Sequence, residues 1–156
     1  MSPMRDIKDR LEFGLVWVAI QLVRALPMRA GVELIAGVSR LVGPWLRQNR
    51  RALENLAIAF PDRSAADHQA IARAMWANMG RTFAETFYID RMIAEPSRFT
   101  ITDEALWRQR MSGRGPSVGV TAHLGNWELA IWPMTTFGRA PAGVYRPLSN
   151  PYLDRM

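Results

Sequence analysis

The sequence is 156 residues long, 49% apolar and 22% charged, a composition that supports one packed core and excludes a disordered chain. It contains no cysteine, which removes disulfide frameworks, thiolate nucleophiles and cysteine-ligated zinc. The net charge of +6 is uneven: residues 1–51 hold nine Arg or Lys against four Asp or Glu, a balance of +5, and the rest hold eleven against ten, a balance of +1.

A basic third beside a near-neutral remainder points to an anionic partner surface, either nucleic acid or anionic lipid. The first segment of the chain decides between them. Phe13 to Ile20 is apolar apart from Gly14, and Leu22, Val23, Ala25 and Leu26 extend the run. Gln21 and Arg24 interrupt it, Pro27 ends it, and Arg5, Lys8 and Arg10 precede it. The stretch is shorter than the ~20 residues of a clean span, and no small-residue cleavage site follows it. The expectation is a helix lying on or shallowly inserted in a membrane, with Trp17 near the boundary and no nucleic-acid partner. The alternative is an ordinary buried helix.

Helical patterning continues to about Arg91. Arg29 to Val42 places Val32, Ile35, Ala36, Val38, Leu41 and Val42 on one stripe, and Gly43-Pro44 stops it. Trp45 to Ala59 reads as a helix with Leu46, Leu53 and Leu56 inward and Arg47, Arg50 and Arg51 outward, broken by Pro61-Asp62. Ser64 to Asp67 forms a capping-box pattern, and the helix after it runs to about Phe87 with Ile71, Ala74, Met75, Met79 and Phe83 at helical spacing. His68, in its first turn, is expected to be exposed and without function.

From Arg98 the pattern changes. Strands are expected at 99–102, 117–122 and 142–145, with helices at 103–111 and 126–137, the latter disturbed at Pro133. The fold class expected is therefore α/β, a helical N-terminal region followed by the start of a mainly parallel β-α-β sheet. Three strands are few for such a sheet, so the expectation is a sheet finished by another chain or the front half of a longer protein.

His123 and Glu128 follow directly on the strand expected at 117–122. On one continuous helix, residues five apart diverge by about 140°. With His123 on a loop and Glu128 in a first helical turn they converge; Gly125 permits the turn and Asn126 caps the helix. A histidine oriented by a carboxylate is a general base. With no serine or cysteine in the motif, its natural use is to deprotonate a substrate hydroxyl. The bare spacing, however, favours a structural histidine and a surface carboxylate. Two histidines without cysteine make a metal site improbable, and Gly113-Arg114-Gly115 lacks the residues of a phosphate loop.

The wider segment Thr121-Ala122-His123-Leu124-Gly125-Asn126-Trp127-Glu128-Leu129 resembles the H-x-x-x-x-[DE] block of the bacterial lipid A late (lauroyl/myristoyl) acyltransferases, within the lysophospholipid acyltransferase superfamily. Leu124 stands where that family commonly has an aromatic. Asn49-Arg50-Arg51 with Asn55-Leu56 and Phe60-Pro61, Met79-Gly80-Arg81 with Glu85, and Val144-Tyr145-Arg146-Pro147-Leu148 with Asn150-Pro151 are similar to its other blocks. The resemblance implies two parts, a membrane-associating helix over 1–27 and the N-terminal part of an α/β acyltransferase domain over 28–156. It implies His123 as general base, Glu128 as its partner, and Arg146 binding phosphate or the oxyanion, with Gly125 and Asn126 lining the substrate site. Without the resemblance, Arg146 reads equally as a solvated strand-end arginine. It further implies an acyl-carrier-protein thioester as donor, a lipid A precursor as acceptor, no cofactor, and a place at the cytoplasmic face of the bacterial inner membrane. The alternative is a truncated membrane-binding remnant without activity.

Overall fold

The structure, a computed structural model, describes residues 3–113, 115, 116, 118–122 and 125–156. Helix α1 spans Pro3–Arg24, α2 Met28–Val42, α3 Arg47–Ala59 and α4 Ala65–Thr86. Shorter helices follow: α5 at Ile89–Ile93, α6 at Glu104–Ser112, α7 at Trp132–Thr136 and α8 at Pro151–Asp154. Three 3-10 turns, Gly43–Trp45, Pro96–Arg98 and Trp127–Ile131, punctuate the chain.

The local signals act as chemistry dictates. Pro27 precedes α2, and Pro44 sits in the 3-10 turn that closes it. Ser64 accepts from the Asp67 backbone while the Asp67 carboxylate accepts from the Ser64 backbone, so two free amides at the start of α4 are satisfied. His68 departs from expectation: it is buried, and its Nε2 lies 2.9 Å from the Phe60 carbonyl. A carbonyl only accepts, so Nε2 donates, fastening the Phe60-Pro61 turn to α4.

The core is the antiparallel contact of α2 with α4, and the face of α4 it uses is not the one its large residues mark. Ala72, Trp76, Ala77, Gly80 and Ala84 are buried, whereas Met75, Met79 and Phe83 are exposed. On α2, Val32 and Ala36 are buried while Leu34, Val38 and Leu41 are exposed. The reason is close approach. A Cβ on Gly80 would stand 2.5 Å from Ser39 Oγ, and one on Gly31 would stand 2.1 Å from Tyr88 Oη. Small residues let the two backbones meet, and that tight contact outweighs the larger but looser apolar face. Tyr88 is fully buried against Val32 and Ala84, with Val23, Met28, Ile35 and Phe87 around it. Trp76 Nε1 donates to Asn49 Oδ1 at 2.9 Å, tying α4 to α3.

Helix α1 is held at its two ends. Near its C-terminus, Arg24 makes a bidentate pair with Asp90 at 2.9 and 2.7 Å and donates to the Phe87 carbonyl, and Arg91 donates to the Arg24 carbonyl at 2.9 Å. The Arg24 guanidinium holds the Asp90 carboxyl down to about 2. Near the N-terminus, α8 docks: Tyr152 Oη donates to Asp6 at 2.7 Å and Asn150 Nδ2 to the Asp9 carbonyl at 2.8 Å. Between these ends Ile7, Leu11, Leu15, Val18 and Leu22 form an exposed stripe at helical spacing. Among the described residues, no helix is long and apolar enough to cross a membrane.

The expected parallel sheet is not formed. Among the described residues there is no strand; residues 118–122 and 142–145 are irregular, 99–102 run irregularly from a 3-10 turn into a turn, and Ser117 lies outside the described residues. A β-run becomes a strand only against a neighbouring strand and a covering face. Val118, Val120 and Val144 are 92%, 94% and 107% exposed, so among the described residues no apolar face covers these valines. Among the described residues the architecture is helices joined by irregular segments rather than α/β.

Candidate active site

The segment that follows residue 124 is built by its glycine. Gly125 has φ 77°, in the left-handed region that costs a side chain strain, and it redirects the chain into Asn126. Asn126 is extended and opens the 3-10 turn Trp127–Ile131, with the Leu129 amide donating to its carbonyl at 3.3 Å. The helix expected over 126–137 is thus divided: a 3-10 turn first, then α7, with Pro133 in the first turn of α7, where its missing N–H costs nothing. Glu128 sits in the first turn after Asn126 and is exposed.

Asn126 occupies the cap position, but its side chain caps nothing. Its Nδ2 instead donates to Glu85 Oε2 on α4 at 3.2 Å, and its buried Oδ1 has no partner among the described residues. The remainder of this region is fixed to the helices by side chains. Phe99 stacks on Trp132 with centroids 4.3 Å apart, Arg139 donates to the Met111 carbonyl at 2.8 Å, and the Arg108 guanidinium lies 5.2 Å from the Phe137 ring.

The family model for bacterial lipid A biosynthesis acyltransferases matches residues 4–156. The chain belongs to the bacterial lipid A biosynthesis acyltransferase family. Comparison with curated proteins and with solved structures gives no match. Membership makes the protein an acyltransferase of lipid A biosynthesis with a lipid A-type acceptor.

In this acyltransferase the sequence-derived site residues are distributed as follows. His123 lies outside the described residues. Gly125, Asn126 and Glu128 form the turn just described. Arg146 lies in the exposed irregular segment before α8, and among the described residues no hydrogen bond or ion pair joins it to Glu128. Among the described residues, no three His, Asp or Glu side chains converge as a metal would require.

Two features escaped the sequence reading. Glu85 fits a family-like block but carries no local sign of its contact, since Asn126 is 41 residues away. A cleft of about 440 Å³ beside it is lined by Met28, Val32 and Met92 and by Arg29, Glu33 and Arg98. The basic N-terminal charge also proves partly neutralised in place. Lys8 pairs with Glu12 at 3.5 Å, Arg10 with Asp6 at 2.9 Å, and Arg5 lies 4.0 Å from Asp9. Exposed i,i+4 pairs contribute only a few tenths of a kcal/mol each, about 0.3–0.5. They do cancel the field that a row of free cations would project.

Proposed function

We propose that the protein transfers a fatty acyl group from an acyl-carrier-protein thioester to a hydroxyl of a lipid A precursor, with His123 as general base and Glu128 as its carboxylate partner. His123 removes the proton from the acceptor hydroxyl, whose oxygen attacks the thioester carbonyl. The tetrahedral intermediate collapses with departure of the carrier thiolate, which takes up that proton. Arg146, a guanidinium without an ion pair among the described residues, stabilises the oxyanion or binds an acceptor phosphate. The observation that carries the reading is the His123-to-Glu128 block inside a chain of this family, with Gly125 turning the backbone three residues before Glu128.

Glu128→Gln keeps the shape and removes the charge that would stabilise an imidazolium. The expected result is a fall of about 100-fold in acyl transfer to a lipid A precursor, with folding unchanged. Transfer at the wild-type rate would remove Glu128 from the mechanism.

The work is assigned to the cytoplasmic face of the bacterial inner membrane, where the acceptor is a lipid. The exposed stripe of α1 is the element proposed to rest on the bilayer, its apolar side chains entering the headgroup boundary. Burying one leucine contributes about 1.5–3 kcal/mol, so Leu15→Glu is expected to lower binding to phosphatidylglycerol-containing vesicles about tenfold or more in a co-sedimentation assay. Unchanged binding would move the docking surface elsewhere.

A further inference from the structure

We propose that Glu85 is a positioning residue for the acyl transfer, setting the Gly125–Glu128 turn through its hydrogen bond to Asn126. This rests on the catalytic reading of His123 and Glu128 and adds a residue to it. Asn126 lies between the two, one residue after the left-handed Gly125 and two before Glu128, so its side chain is the natural handle on the turn. Its amide makes a single side-chain hydrogen bond, to Glu85 Oε2 at 3.2 Å, while its buried Oδ1 makes none. Among the described residues, the amide is therefore oriented from α4.

The surroundings keep Glu85 available for this contact. Arg81, one turn earlier on the same helix, gives its hydrogen bonds to Glu33 of α2 in a bidentate pair at 2.7 and 3.0 Å and meets Glu85 only through its charge. Across the cleft, Arg98 is paired with Glu95 at 2.6 Å. Arg29 of α2, the remaining charge lining that cleft, makes no hydrogen bond or ion pair among the described residues. The α2–α4 contact is the closely packed core among the described residues, and Glu85 extends from it to Asn126. A turn that places a catalytic pair gains its geometry by being tied to such a frame, and a misplacement of about 1 Å at a reacting group can cost about 100-fold in rate.

The test uses the full chain with two readouts: hydrogen exchange of the amides in residues 125–131, and kcat and KM for acyl transfer. In Glu85→Ala, exchange in that segment is expected to quicken about tenfold while α4 is unchanged, and kcat to fall about 10–100-fold with KM within about twofold. Glu85→Gln retains an acceptor for the Asn126 amide and should stay within about threefold of wild type. Asn126→Asp puts two carboxylates in contact. At pH 8 they repel and the tether opens; as the pH falls they share a proton and it closes, so this variant alone regains activity relative to wild type on the acid side. Combining Asn126→Asp with Glu85→Gln gives the new carboxylate a donor and should restore the slow exchange of residues 125–131 at pH 8.

A purely structural role would not produce that acid-side recovery or its removal by the second substitution. Glu85→Ala with unchanged exchange overturns the tether. Quickened exchange with unchanged kcat overturns its role in positioning. A double variant no better than Asn126→Asp overturns the pairing. Transfer that survives loss of His123 instead sinks the catalytic reading, and the exchange data still report on the Glu85–Asn126 contact.

Discussion

Replacing His123 with alanine lowers acyl transfer by about 1,000-fold or more, because the acceptor hydroxyl loses the group that takes its proton. A general base acts only when neutral, so the wild-type rate should fall on the acid side, and the residual rate of His123→Ala should lack that limb. Thermal unfolding measured on the same variant separates lost chemistry from lost folding: an unaltered midpoint assigns the fall in rate to the missing base. Activity that survives His123→Ala would refute the assignment. Absence of transfer in both wild type and variant would favour the alternative of a membrane-binding remnant. Glu128→Gln, expected to lose less, ranks below it because orienting and stabilising a base contributes less than supplying it.

The second large effect is on stability. Tyr88→Ala removes a fully buried ring and is expected to cost about 3–5 kcal/mol in denaturant unfolding. The ring fills the space that Gly31 leaves on α2, beside Val32 and Ala84. Its hydroxyl donates to the Val23 carbonyl in the last turn of α1, so the same residue joins α1 to the α2–α4 pair. Tyr88→Phe separates the two roles. It keeps the packing and leaves the Val23 carbonyl without this donor, for an expected cost of about 1–3 kcal/mol. Equal losses in the two variants would mean that the hydrogen bond, not the ring, holds the cluster. A loss under about 1 kcal/mol in Tyr88→Ala would mean that the core lies elsewhere.

The helices of the first ninety residues were legible because their signals are local. Pro27, Gly43-Pro44 and Pro61 punctuate them, and the Ser64–Asp67 box satisfies amides within one turn. The turn at Gly125 was legible as well, since a glycine just before a capping Asn126 states a backbone requirement that Gly125 meets at φ 77°. Residue identities beyond the motif carried the family, and the family match bears that recognition out. The tertiary structure decided the rest. It chose the small-residue face of α4 over Met75, Met79 and Phe83, because interhelical distance is a property of two helices and not of one pattern. It buried His68, whose partner carbonyl lies in the preceding turn. It also left Val118, Val120 and Val144 uncovered, so the apolar runs read as strands form no sheet. Strand formation needs hydrogen-bonding neighbours that a sequence run does not itself contain. The Glu85–Asn126 contact is of the same kind: Gly125 marks the turn before Glu128 in the sequence, and only the folded chain brings Glu85 of α4 to the Asn126 amide.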